Sequence, residues 1–253
     1  MRKFYPEKQL SYTIKWIQDY FTDNGDSKTK AVIGISGGKD STIAAALLVR
    51  ALGPERVVAV LMPCGEQSDI SDSYEVCACL NIPKENIYEI NIKEAAEALY
   101  NQIPNSTNPQ IRTNTPARLR MTVLYAIAAN VHGRVCNTGN RSEKYVGYTT
   151  KYGDNAGDFA LLQNLTVSDL LELGPLLPEI PARLISKTPA DGMSGKTDED
   201  NMGFSYADVD DYILYNIYPK TEILYEIKHR NLCNQHKNTV TLSAPPRLTK
   251  EEE

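Results

Sequence analysis

A short run of glycine, serine and charged residues near the start of the chain has the composition of a phosphate-binding loop. Residues 34–41 read Gly-Ile-Ser-Gly-Gly-Lys-Asp-Ser, between the apolar run 31–33 and the helix-compatible stretch 42–52. Gly37 and Gly38 have no Cβ, so their main chain can adopt positive φ and lie close to an anion. The free N–H groups and the positive dipole end of the following helix would then point at that anion.

Asp40 adds a carboxylate to the same loop, and a carboxylate in this position suits a divalent metal that accompanies polyphosphate. The G-x-x-x-x-G-K-[ST] spacing of a Walker A loop is absent. An ordinary glycine-rich turn in front of a core helix is the alternative interpretation of residues 34–41. Their S-G-G-x-D-S pattern resembles that of the ATP pyrophosphatases, which cleave ATP into AMP and pyrophosphate.

Strand-like and helix-like segments alternate around this loop. The predicted strands are 31–33, 57–62, 87–92 and 134–138, and the predicted helices are 7–21, 42–52, 68–80, 93–101, 116–131, 206–216 and 221–229. Pro116 predicts where the helix 116–131 begins. The alternation predicts a doubly wound, mostly parallel α/β sheet flanked by helices, and the resemblance of the loop implies that this sheet is the ATP pyrophosphatase fold. Ligands of such sheets bind at the carboxyl ends of strands, where the 34–41 loop and Thr138 both lie.

The 253 residues are predicted to form one domain. It would comprise the helix 7–21, an α/β core over about 30–185, a lid-like loop 186–204 and C-terminal helices 205–237. Residues 140–158 and 186–204 are polar or irregular, without a long apolar period. Long loops of this kind in a compact domain are usually either functional lids or disordered inserts.

The composition disfavours several classes of partner. A formal charge of −5 argues against nucleic acid, whose phosphates attract basic surfaces. No apolar run approaches the roughly 20 residues of a membrane span, and the N-terminus lacks the apolar region of a signal peptide. The five cysteines contain no C-x-x-C pair, so neither zinc nor a disulfide framework is indicated. We therefore expect a cytoplasmic protein that binds neither nucleic acid nor membrane.

Several later motifs resemble, in order, the ammonia-dependent NAD synthetases, one branch of the ATP pyrophosphatases. The motifs are Asn-Thr-Pro-Ala-Arg-Leu-Arg-Met (114–121), Asn-Thr-Gly-Asn-Arg-Ser-Glu (137–143), Gly-Tyr-Thr-Thr-Lys-Tyr-Gly-Asp (147–154) with Asp158, Lys-Thr-Pro (187–189), 196–203, 208–212 and His236-Lys237. The resemblance implies the amidation of nicotinic acid adenine dinucleotide (deamido-NAD) to NAD⁺. The substrate carboxylate would attack the α-phosphate of ATP, releasing pyrophosphate, and ammonia would then displace AMP from the adenylate.

The resemblance also implies roles for individual residues. The ATP-binding residues would be Gly34, Ile35, Ser36, Gly37, Gly38, Lys39, Asp40, Ser41, Gln67, Thr138 and Lys187. The dinucleotide-binding residues would be Arg118, Lys151, Asp158, His236 and Lys237, the last two reaching the substrate of the same subunit or of the partner in a homodimer. Asp40 and Glu143 would share Mg²⁺, which offsets charge on the leaving pyrophosphate. Asp154 would take a proton from ammonium, or would only brace its own loop.

Three positions depart from the family pattern. A usual lysine falls on Val167, a usual threonine on Ala190 and a usual arginine on Leu61. Losing a charge-assisted contact to developing negative charge can cost on the order of 100-fold in rate. Lys39, Lys187 and Lys196 all lie in or near motif segments. We hypothesise that Lys187 or Lys196, on the 186–204 loop, closes over ATP as a catalytic cation in place of the missing lysine.

The length of the chain bears on the source of the nitrogen atom. A fused glutaminase would need well over about 150 further residues, and the first predicted strand begins only about 30 residues into the chain. Free ammonia or a separate glutaminase protein is therefore expected.

One alternative is pyrophosphatase chemistry on another acceptor, as in tRNA-thiolating or GMP-forming relatives, which the acidic charge and unpaired cysteines disfavour. The other is a regulatory nucleotide-binding module without catalysis, for which the three departures are the support.

Overall fold

The computed structural model describes residues 4–104, 107–187 and 197–238. In these residues one sheet has the strand order β3-β2-β1-β4-β5. Its strands are β1 (Lys30–Gly34), β2 (Val57–Leu61), β3 (Ile87–Glu89), β4 (Gly133–Asn137) and β5 (Phe159–Ala160). Every neighbouring pair is parallel, which confirms the predicted fold class. The chain order reverses between β1 and β4, and at such a switch point the loops leaving the strands diverge and open a crevice.

The helices of the described residues cover both faces of this sheet. They are α1 (Pro6–Asp23), α2 (Lys39–Leu52), α3 (Ile70–Cys79), α4 (Lys93–Gln102), α5 (Gln110–Val131), α6 (Arg141–Val146), α7 (Val167–Leu173), α8 (Ala182–Ile185), α9 (Asp198–Met202), α10 (Tyr206–Tyr215) and α11 (Thr221–Asn238). Short 3₁₀ turns occupy Pro54–Arg56, Lys84–Asn86 and Gly174–Leu176. None of the helices in these ranges has the length and apolar content needed to cross a lipid bilayer.

The core is divided by the sheet because successive side chains of a strand point to opposite faces. Ala31 and Ile33 of β1 pack against α1 and α2 in one apolar cluster. Val32 packs on the other face, with Met121 and Leu124 of α5. These side chains are almost completely buried, so each of them except the small Ala31 contributes on the order of 1.5–3 kcal/mol of transfer free energy. A third apolar cluster joins α6, α7, α9, α10 and α11 beside the sheet.

The predicted elements were wrong at several boundaries. Helix α5 begins at Gln110, six residues before Pro116, which lies inside the helix. Proline has no N–H to donate to the carbonyl of Arg112, but that residue is exposed and its carbonyl can bind water instead. Helix α11 continues to Asn238 rather than ending at 229.

Two short helices, α6 and α9, form inside segments that were predicted to be loops. Each begins with a capping box, in which the N-cap side chain and an acidic side chain three residues later exchange hydrogen bonds with the main chain. Most of the segment predicted as a lid, residues 188–196, lies outside the described residues.

Candidate active site

The 34–41 loop leaves the carboxyl end of β1 and leads directly into α2. Gly37 has φ of 75°, as predicted, whereas Gly38 has φ of −82° and is the N-cap of α2. A Cβ on Gly37 would lie 2.8 Å from the Cβ of Asp72, so the loop packs closely on α3. Gly38 has no side chain to cap α2, which leaves N–H groups of the first turn available for an anion.

Two serine side chains hold the loop in shape. The hydroxyl oxygens of Ser36 and Ser41 are 3.0 Å apart, and the Ser41 hydroxyl also accepts the N–H of Ser36 at 3.2 Å. The N–H of Gly38 donates to Ser36 Oγ at 3.2 Å. These contacts organise a concave run of main-chain N–H groups of the kind that binds phosphate.

Asp40 and Glu143 meet at the switch point between β1 and β4. The side chain of Asn140 accepts the N–H of Glu143, and Glu143 Oε2 accepts the N–H of Asn140, both at 3.0 Å. Asn140 Nδ2 is also 3.5 Å from Asp40 Oδ1, so it bridges the two acidic residues. Burial, and then the nearby negative charge of Asp40, raise the pKa of Glu143 to about 8.

This pair fits a divalent cation. Two carboxylates in a partly buried crevice supply hard oxygen ligands, and a cation bound between them would offset their repulsion. No group of three His, Cys, Asp or Glu side chains in the described residues is arranged to hold a metal. Magnesium commonly takes one or two carboxylates and completes its coordination with substrate phosphates and water, which the adjacent 34–41 loop would provide.

Residues 147–158 form a loop that is fastened to the end of β4. Asn137 Nδ2 donates to the carbonyls of Asp154 and Ala156 at 2.7 and 2.8 Å. The N–H of Thr150 donates to Asp154 Oδ1 at 2.8 Å, so this carboxylate braces its own loop. The residue is exposed, yet the protein packed around its carboxylate raises the pKa of Asp154, an effect that the Thr150 N–H opposes.

The end of α11 brings most of the predicted dinucleotide-binding residues together within one chain. Lys151 Nζ donates to the carbonyl of His236, and Lys237 Nζ to the carbonyl of Gly147, each at 2.7 Å. Arg118 Nε donates to the carbonyl of Lys151 at 3.1 Å. The three cations therefore lie around the loop that carries Asp154.

Asp158 lies apart from this group of cations. Its Oδ2 accepts the N–H of Val135 in β4 at 2.7 Å, and its Oδ1 accepts the hydroxyl of Tyr125 at 3.2 Å. With Tyr125, His132 and Arg134 it lines a cavity of about 350 Å³ between α5 and β4. Its assignment to the dinucleotide remains a prediction.

Gln67 and Lys187 lie on the α3 side of the 34–41 loop. Gln67 Nε2 donates to Asp69 at 3.0 Å, and Lys187 Nζ contacts Asp69 and Asp72 at 2.7 and 2.6 Å. Hydrogen bonding from Lys187 is the largest factor that lowers the pKa of both aspartates. The positive charge of Lys187 is therefore matched by two carboxylates, whereas Lys196 lies outside the described residues.

The departures Leu61 and Val167 are both apolar packing residues. Leu61 ends β2 with no exposed surface, in the main core. Val167 is the first residue of α7 and packs with Met202 and Phe204 in the third apolar cluster. Ala190 lies outside the described residues. Thr138 follows β4 directly, at the switch point where it was predicted.

Sequence reasoning missed two residues that support the site. Asn140 was noted only within its motif, although the spacing Asn140-x-x-Glu143 is itself the signal of a helix N-cap. Asp210, on α10, is buried and accepts hydrogen bonds from the Ser142 hydroxyl and, at 2.8 and 2.7 Å, from the N–H and hydroxyl of Ser168. It thereby joins α10 to α6 and α7 and holds the helix that carries Glu143.

Comparisons with known proteins agree on one family. The family model described as NAD synthase matches residues 9–244. The NH(3)-dependent NAD(+) synthetase of Methanoregula boonei is 40% identical over 183 residues, which cover 71% of this chain and 72% of the relative. The solved NMN synthetase of Francisella tularensis has a TM-score of 0.88 and 34% identity, covering 96% of this chain and 100% of that one. The NH3-dependent NAD synthetase of Campylobacter jejuni has a TM-score of 0.75 and 28% identity, covering 98% and 100%.

Proposed function

The chain belongs to the NAD synthase family, and from that membership we propose that it catalyses the ATP-dependent amidation of deamido-NAD to NAD⁺ with ammonia. The observation that carries the proposal is the meeting of three features at one crevice. These are the phosphate-binding shape of the 34–41 loop, the Asp40–Glu143 pair and the cations around Asp154. A nucleotide-binding module without catalysis would not need the last two.

ATP would place its β- and γ-phosphates on the 34–41 loop. The N–H groups of the first turn of α2 and the hydroxyls of Ser36 and Ser41 would donate to the phosphate oxygens. Asp40 and Glu143 would hold Mg²⁺, which offsets the negative charge that develops on pyrophosphate. Held in this way, the leaving group keeps its orientation while the α-phosphate stays open to attack.

The reaction would take two steps. An oxygen of the pyridine carboxylate attacks the α-phosphorus, and the bond from that phosphorus to the bridging oxygen breaks, giving the adenylate and pyrophosphate. Ammonia then attacks the carbonyl carbon, AMP leaves with the electrons of the C–O bond, and the nitrogen releases a proton to give the carboxamide. The ammonium ion must lose a proton before it can attack, and Asp154, whose pKa is raised and which belongs to the loop that the cations surround, would accept it.

The dinucleotide would bind along the cations of the 147–154 loop and α11. Arg118, Lys151 and Lys237 present positive charge to its phosphates and its carboxylate. We also propose a homodimer, a cytoplasmic location consistent with five free thiols, and ammonia that arrives free or from a separate glutaminase.

A second candidate substrate is the mononucleotide. The NMN synthetase of Francisella tularensis has a higher TM-score with this chain than the Campylobacter jejuni NAD synthetase has. The same chemistry would convert nicotinic acid mononucleotide, which lacks the adenylate half of deamido-NAD, to NMN. The residues that contact the pyridine carboxylate would serve both substrates.

One assay tests both candidates. The purified protein is given ATP, Mg²⁺ and ammonium with either deamido-NAD or nicotinic acid mononucleotide, and the amide product and AMP are quantified by chromatography. Equal amounts of NAD⁺ and AMP that depend on ammonium are expected. A larger kcat/KM for the mononucleotide would transfer the proposal to the second substrate. AMP without either amide would indicate another acceptor, and no AMP at all would refute catalysis.

A further inference from the structure

The side chain of Lys39 has an unusual position for a lysine in a loop. It is buried, with 3% of its surface exposed, and its Nζ lies 2.9 and 2.8 Å from the two oxygens of Asp40. Lysine is rarely buried to this degree unless it is paired, because removing its charge from water is costly. The lysine is therefore held in the crevice by the carboxylate that we assign to the metal.

The ammonium lies where a divalent cation would have to bind. Both oxygens of Asp40 are occupied by Lys39, so a metal that takes Asp40 as a ligand must share an oxygen with the ammonium or displace it. The ammonium is also near enough to Glu143 to stabilise its negative charge. Lys39 thus acts on both carboxylates of the pair.

Lys187 is less suited to this place, because Asp69 and Asp72 already match its positive charge. Val167, on which the usual lysine of the family falls, carries no charge and packs in the third apolar cluster. Lys39 is a residue of the phosphate-binding loop itself, preceding the first-turn carboxylate of α2. An ammonium that leaves Asp40 would meet the polyphosphate that the same loop holds.

We propose that Lys39 is the resident cation of this site, which occupies Asp40 in the absence of nucleotide and passes to the polyphosphate of ATP when the metal enters. The proposal rests on the function proposed above in that it names ATP as the incoming polyphosphate. On this proposal, Lys39 weakens the binding of free metal at Asp40, and the polyphosphate of ATP relieves that competition. The lysine then neutralises phosphate oxygens as the α-phosphate is attacked.

This role of Lys39 predicts that removing the lysine changes two quantities in opposite directions: the affinity for free metal rises and kcat falls. Without Lys39, two carboxylates lose a competing positive charge, so free metal should bind tighter by about tenfold or more. The polyphosphate loses a cation in the same change, so kcat with ATP should fall by about tenfold or more. A lysine that only stabilised the loop would weaken metal binding and turnover together.

The experiment measures free Mn²⁺ by electron paramagnetic resonance during titration of metal-free protein without ATP. Lys39→Met and Lys39→Gln are compared with wild type, the second because its amide can still donate to Asp40 if the first fails to fold. Lys30→Met is the matched control, since Lys30 is a partly buried lysine at the opposite end of β1, bound to Asn86. Amide formation is measured on the same preparations.

Tighter Mn²⁺ binding with slower turnover in a folded Lys39 variant, and neither in Lys30→Met, is the expected result. Equal or weaker Mn²⁺ binding in both Lys39 variants would overturn the proposal, even if amidation by the wild type is normal. Conversely, if the wild type makes no amide, tighter Mn²⁺ binding in the variants would still support the resident cation and only the proposed function would fail.

Discussion

Replacing Glu143 with glutamine should stabilise the metal-free protein while abolishing its activity. Glutamine has nearly the same shape, and its side-chain oxygen can still accept the N–H of Asn140, so the cap of α6 is retained. The substitution removes the carboxyl group whose ionisation beside Asp40 is unfavourable in the folded protein. Its effect on stability therefore reports the cost of ionising this carboxyl group.

The size and sign follow from the pKa of Glu143, which burial and Asp40 raise from 4.5 to about 8. Over that interval the folded protein retains a proton that the unfolded chain has already released. The stability conferred by the protonated form is complete below pH 4.5 and is lost as the pH rises towards 8. Each pH unit in this window costs about 1.4 kcal/mol, so the loss at neutral pH is on the order of 3 kcal/mol.

The assay is urea unfolding in EDTA at several values between pH 5 and 8. The difference in unfolding free energy between Glu143→Gln and wild type should grow with pH, and added Mg²⁺ should close the gap by stabilising only the wild type. Glu172→Gln, an exposed change on α7, should follow the wild type. A Glu143→Gln variant whose unfolding free energy keeps the pH dependence of wild type would refute the reasoning, because the carboxyl would then carry no ionisation cost.

Three further predictions concern the loop, the proton acceptor and the buried support of α6. Gly37→Ala should raise the KM for ATP roughly tenfold, because its Cβ would clash with Asp72 and the left-handed backbone would add about 1–2 kcal/mol of strain. Gly38→Ala should raise the KM less, because Gly38 has a φ of −82°. Equal increases in KM for the two variants would contradict this reasoning. Asp154→Asn should slow amide formation about 100-fold but spare ATP–pyrophosphate exchange, and equal losses would exclude a role limited to ammonia. Asp210→Ala should cost about 3 kcal/mol in urea unfolding, since it leaves the buried Ser142 hydroxyl and the half-buried donors of Ser168 without their acceptor. A loss under about 1 kcal/mol would disprove that.

The predicted end of helix α11 was wrong because its C-terminal half depends on tertiary contacts. Helix α11 is largely polar, and among its described residues Ile227 is the buried one. Its contacts with α6, through Asn231 to the carbonyl of Tyr145 and Asn234 to that of Val146, stabilise it beyond its own weak pattern. The local sequence of α11 does not indicate these contacts, so the C-terminal half of the helix could not be predicted.

The candidate site was predictable to the extent that it consists of motifs. Residues 34–41 carry their function locally, because glycine at 37 permits the left-handed turn and the next residues begin a helix. The resemblance to the family also implied that Glu143 shares a metal with Asp40, but it did not indicate that Asn140 bridges the two side chains. The tie from Asp210 to Ser142 spans 68 residues, and nothing in either segment indicates the other.

By itself the sequence determined the alternation of strands and helices, the phosphate-binding turn and the family. Those properties depend on side chains a few positions apart, through apolar periodicity and the conformational freedom of glycine. The tertiary structure alone decided that Lys39 occupies Asp40, that Asn140 joins Asp40 to Glu143, and that α11 delivers Lys237 to the loop of Asp154. These contacts depend on which rotamers and elements pack together at the switch point of the sheet, and packing is a property of the whole folded chain.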